Sequence, residues 1–157
     1  LFEETGVKLD WKVIVGGGVL MYVTQFIVSL VTGGLIHEGV LDPLYQATTE
    51  FWRPELNQDP PDMAALMPHW IASGLLAALV QAGIYDNIRS ALNGSGLLKG
   101  LKFGLILAML YALTGLAYSG VFNLPPAIWG WWALDGLIVY SIGGLVLGWF
   151  AGKFGTD

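Results

Sequence analysis

Four long stretches of this chain are almost free of charge, and no other feature limits the possible folds so tightly. They run from about 13 to 36, 63 to 84, 103 to 122 and 127 to 151, and Asp135 is their only acidic or basic residue apart from histidine. A bilayer hydrocarbon core of roughly 30 Å is crossed by about 20 apolar residues at 1.5 Å per residue, so each run is long enough to span. The runs are continuous and rich in Leu, Ala and Gly, whereas strands of a membrane barrel would alternate apolar and polar positions. Helices satisfy their own backbone hydrogen bonds, which lipid cannot do. The expected fold is therefore an all-α membrane protein: four transmembrane helices in an antiparallel bundle, a single membrane domain over 1–157, with 37–62 as a long loop.

Composition agrees. Apolar residues make up 55% of the chain and charged residues 12%, about half the charged share of a soluble domain. Cysteine is absent, which excludes a disulfide framework, a thiolate metal site and a cysteine nucleophile. The first apolar run is too long for the core of a cleavable signal and is not followed by a small-residue cleavage site, so it reads as a retained anchor.

Orientation follows from where the cations fall. Lys8, Lys12, Arg89, Lys99, Lys102 and Lys153 lie before the first run, between the second and third, or after the fourth, and Arg53 alone lies in the other loops. Short cytoplasmic segments carry the Lys/Arg excess, so both termini are expected in the cytoplasm, of a bacterial inner membrane in the simplest case. Segment 37–62 holds Glu38, Asp42, Glu50, Glu55, Asp59 and Asp62, as an exported acidic loop would. Tryptophan favours the headgroup level. Trp11 and Trp149 fall at the inner boundary and Trp52, Trp70, Trp129, Trp131 and Trp132 at the outer one.

Small residues mark helix contacts. Gly100, Gly104, Ala108 and Ala112 recur every fourth position on the third run, and Gly144, Gly148 and Gly152 do so on the fourth. Membrane helices associate through close packing that such residues permit, so the last two spans are expected to form a tight hairpin or a dimerisation face. Asn93, Gly94, Ser95 and Gly96 form a turn cluster, and Pro125 and Pro126 suit a helix start. The loop 37–62 is long for a bundle connection, and its aromatics Tyr45, Phe51 and Trp52 favour an interface or a neighbour. Tyr45, Trp52, Arg53, Trp129, Trp131 and Trp132 are accordingly the expected contacts for a partner at the outer face.

Little in the sequence carries chemistry. An acid inside a span is costly unless paired, hydrated or protonated, which singles out Asp135. His69 lies at a similar depth in the second run, so an Asp135–His69 pair is expected, either as an interhelical hydrogen bond or as a proton site; His69 is also the one position able to ligate haem or chlorophyll from within a span. Metal ligands are too few for a dinuclear centre. Gln25 and Gln81 suit hydrogen bonds between helices. The Gly16-Gly17-Gly18 run lacks the strand and lysine of a phosphate loop, no serine sits in a nucleophile elbow, and nucleic acid has no basic surface to bind.

The order of elements, with Tyr45, Trp52-Arg53-Pro54, Ile84-Tyr85, Lys99-Gly100-Leu101-Lys102-Phe103-Gly104-Leu105, Trp132 and Gly144-Leu145-Val146-Leu147-Gly148, resembles a group of small, largely uncharacterised bacterial four-span inner-membrane proteins. The resemblance implies the topology and brings no activity with it. The functional expectation is a non-catalytic accessory or structural subunit of a larger membrane complex, of the electron-transfer or photosynthetic kind, in contact with lipid and with other integral subunits or copies of itself. The alternative is a small oligomeric transporter or channel for protons or a small solute that uses Asp135 and His69.

Overall fold

The computed structural model describes residues 9–156. Every regular element among them is helical, and four helices are long and apolar enough to cross a membrane. Helix α1 (Lys12–Val40) is followed by a short helix α2 (Asp42–Gln46) and two 3-10 turns, and then by α3 (Met63–Ile88), α4 (Gly96–Tyr118) and α5 (Pro126–Phe154).

The helices exceed the apolar runs because polar residues cap and extend them. Ser95 accepts from the Leu98 N–H and starts α4 a full two turns before the expected boundary, so Lys99 and Lys102 lie inside the helix. Lys102 bends back to donate to the Asn93 carbonyl at 2.8 Å, as long cationic side chains do at a membrane boundary. At its other end α4 stops at Tyr118 rather than running to 122, and Val121 and Phe122 form the turn before Pro125 and Pro126. Gly94 adopts φ 116°, a left-handed conformation that favours glycine, and it turns the chain between α3 and α4.

Helix α1 occupies the centre, packed on α3 along one side and α5 along the other, while α4 packs on α5. The glycine run explains how α1 fits. A Cβ at Gly16 or Gly17 would meet the Phe150 ring, and one at Gly18 would meet Leu79 and Ala82. Three successive glycines thus let one turn of α1 lie against two neighbours. Gly96, Gly100 and Gly104 of α4 face Gly148, Gly144 and Tyr140 of α5 in turn, with backbone against backbone. A close approach of this kind maximises dispersion contacts between helices that lipid does not drive together.

Val13, Met21, Ala82, Tyr85, Phe103, Leu147 and Ala151 form one core cluster near the chain ends, to which all four long helices contribute. Ile36, Leu41 and Ile128 form a second at the opposite end, covered by Leu44, Tyr45, Trp52, Trp131 and Trp132. This second cluster holds the segment after α1 as an ordered cap instead of an open loop.

Candidate functional site

Beneath the cap a chain of polar side chains enters the bundle. The first part of α1 is π-helical (Lys12–Gly17), the middle α-helical, and the last part π-helical again (Gly33–Val40). The wider final turns carry His37 past the expected end of the span. His37 Nε2 lies 3.4 Å from Asp135 Oδ2 on α5, and His37 Nδ1 lies 2.7 Å from the Tyr45 hydroxyl on α2. Trp132 Nε1 donates to that hydroxyl at 2.7 Å. Trp52 Nε1 donates to the Tyr45 carbonyl and the Thr48 hydroxyl at 3.2 and 3.1 Å, tying the cap to the same tyrosine. The Asp135 and His37 side chains are 18% and 34% exposed, so the acid is the deeper of the two.

This geometry corrects the expected Asp135–His69 pair. Asp135 meets His37, while His69 is exposed on α3 and its backbone carbonyl accepts from Ser73 at 2.7 Å. Counted depth favoured His69, but the face of α3 that carries it points away from Asp135 and the end of α1 supplies His37 instead. The apolar hollow on α3 lined by Ala64, Met67, Pro68, Ile71 and Ala72 does not include His69. Among the described residues no group of three or more metal-ligating side chains occurs.

The expected outer-face contacts divide. Tyr45, Trp52 and Trp132 interlock with one another, with centroid separations of 5.2 and 6.2 Å, and Trp129 packs edge-on to Trp132 at 5.4 Å. Trp131 joins the same cluster. Arg53 is the exposed member and pairs with Glu55 at 3.1 Å. The carboxylate beside it stabilises the charged guanidinium and holds the Glu55 carboxyl below its ordinary range. Burial pushes the Tyr45 hydroxyl up, which keeps it a neutral donor.

A second polar assembly, not anticipated from the sequence, closes the opposite end. Arg89 Nε forms an ion pair with Asp86 Oδ1 at 3.0 Å, and its Nη2 donates to the Thr156 carbonyl at 2.6 Å and lies 3.7 Å from Asp10 Oδ2. Asp10 accepts from the Thr156 N–H at 2.6 Å and the Thr156 hydroxyl at 3.0 Å, while its own N–H donates to Asp86 at 2.8 Å. The Thr156 backbone bond is the main reason the buried Asp10 carboxyl sits below the ordinary aspartate range. Arg89 thus joins the segments flanking α1, α3 and α5, a structural role beyond its contribution to charge asymmetry. The only sequence signal was two acids and an arginine at helix ends.

No family model, curated protein or solved structure matches this chain, so the geometry alone carries its functional reading.

Proposed function

We propose that the chain is a non-catalytic accessory or structural subunit seated beside other integral membrane subunits, with its four spans antiparallel and both termini on the cytoplasmic side of a bacterial inner membrane. The observation that carries this reading is the exposed face of α3. Only 11% of the most apolar window of α3 is buried within the chain, against 28% for α1 and α5. One exposed ridge reads Ala65, His69, Ser73 and Ala77, flanked by the larger exposed Trp70, Ile71, Leu76 and Val80. Large aliphatic side chains suit lipid, whereas small residues with an occasional polar group suit another helix. An imidazole facing hydrocarbon is costly unless a neighbour accepts or donates to it. The polar groups of the cap and of the Arg89 clasp are engaged in holding the chain to itself, whereas Gln25 Nε2 and Gln81 Oε1, buried between the spans, have no partner among the described residues.

Purification from native membranes in mild detergent, with co-purifying proteins identified by mass spectrometry, tests the proposal. Stoichiometric integral partners are expected. A solitary monomer that retains nothing would overturn it. A visible absorption spectrum of the same sample reports whether His69 holds a tetrapyrrole against a partner's surface.

A further inference from the structure

Four buried side-chain atoms lack a hydrogen-bond partner among the described residues, Gln25 Nε2, Gln81 Oε1, Trp129 Nε1 and Asp135 Oδ1, and the last alone belongs to an ionisable group. Asp135 Oδ2 faces His37, while Oδ1 is buried without a hydrogen bond of its own; the neighbouring Thr32 hydroxyl on α1 donates instead to the Val28 carbonyl at 3.2 Å. No Lys or Arg of the described residues forms an ion pair with it. Asp135 itself fixes the direction of the bonds above it, because an ionised carboxylate only accepts and an Nε2 lone pair facing it would be repelled. The ring proton of His37 therefore lies on Nε2, facing Asp135, which leaves Nδ1 to accept the Tyr45 proton. Indole nitrogen can only donate, so the Tyr45 oxygen accepts from Trp132. In that state a neutral imidazole sits beside an ionised acid, and the pair carries one uncompensated negative charge in a site largely removed from water. Such charge is costly inside a membrane protein.

We propose that His37 and Asp135 form a reversible proton-binding site, filled from the cap end through His37. One proton from water adds to His37 Nδ1, and no other proton leaves. The Tyr45 hydroxyl turns its own hydrogen aside and accepts from both Nδ1–H and Trp132, and the pair becomes an imidazolium–carboxylate with no net charge. His37 is the more exposed partner, which makes it the point of entry. The other titratable groups around the pair are Tyr45 on α2, Tyr140 on α5 and Tyr111 on α4, the last two within range of the Asp135 charge, and the exposed Glu38 next to His37 in the chain. None supplies a positive charge.

The chain contains two histidines, so selective nitrogen-15 labelling of histidine in the full protein, reconstituted in lipid nanodiscs, yields two resolvable imidazoles. At alkaline pH His37 is expected as the Nε2–H tautomer. On acidification it gains a proton, and in Asp135→Asn its proton affinity is expected to fall by about tenfold or more, the effect of removing an opposite charge at this range. His69 serves as the unmoved reference. Asp135→Ser, smaller and also neutral, should give the same loss if the asparagine variant does not fold, whereas Asp135→Glu should keep most of the affinity. A His37 affinity unchanged in the neutral variants, or an Nδ1–H tautomer at alkaline pH, would overturn the proposal.

Discussion

His37 and Asp135 stand 98 positions apart in the chain and 3.4 Å apart in space, and their contact joins the end of α1 to α5 just where the cap folds over both. The cap depends on what lies above that contact. Tyr45 has accepted the Trp132 indole, donated to His37 and given its carbonyl to Trp52, so a single tyrosine links α1, α2, the cap turn and α5.

Removing one donor should therefore loosen the cap without unfolding the spans. Trp132→Phe keeps an aromatic ring in the cluster but leaves the Tyr45 hydroxyl without its indole partner, a loss of about 1 kcal/mol for a neutral hydrogen bond. Amide hydrogen exchange should rise about fivefold over residues 41–57 and stay unchanged in α4. Equal acceleration in both segments would place the effect on the whole fold instead.

The α4–α5 contact predicts a sharp contrast between glycines. A Cβ at Gly148 would lie 2.6 and 2.8 Å from the Gly100 Cα and N, atoms of backbone that cannot turn away. Gly148→Ala should destabilise the protein in detergent by about 1 to 3 kcal/mol through overpacking. Gly83→Ala on α3 meets open space and should be neutral or slightly stabilising, since alanine favours the helix. Thermal melts of the two variants side by side check the contrast.

The clasp predicts an acid-dependent loss of stability. Folding holds the Asp10 carboxyl below the ordinary value of 3.8. A depressed folded-state value contributes stability that is complete above the unfolded value and disappears as pH falls through the folded one. Stability of the wild type should thus drop as pH is lowered from about 5 through and below the 3.8 of the free group, and Asp10→Asn should start lower and lose less over the same range. Parallel curves for the two proteins would show that Asp10 contributes nothing to the acid transition.

Topology yields a prediction that needs no purification. The chain has no cysteine, so any single introduced thiol is unambiguous. Gln58→Cys in the cap should react with a membrane-impermeant reagent on intact cells, and Asn93→Cys in the α3–α4 turn should react only after lysis. The reverse pattern would place the termini outside.

Much of this architecture was legible in the chain. Hydropathy located all four spans because a membrane helix must be apolar along its whole length, and the four-residue glycine spacing on α4 and α5 marked the contact the structure forms. Gly94 and Pro126 punctuated the helices as their backbone preferences require. The polar sites were less legible, for two physical reasons. Depth along a helix can be counted from a sequence, but the face a residue occupies depends on which neighbour the helix chooses. Depth alone therefore favoured His69, while the π-helical end of α1 brought His37 to Asp135. The clasp joins Asp10 to Thr156 across 146 positions, and nothing local to either residue reports the other. Arg89, counted in the sequence as a topology signal, is held in the structure by Asp10, Asp86 and Thr156.

The accessory-subunit reading rests on the exposed ridge of α3, and proximity labelling from that ridge tests it most directly. Ser73→Cys and, as a control on the exposed apolar surface of α4, Leu113→Cys can each be loaded with a thiol-reactive photocrosslinker in native membranes. The account predicts a discrete protein adduct from position 73 and lipid adducts alone from position 113. Lipid adducts from both positions would contradict it, because α3 would then face hydrocarbon like any other outer helix.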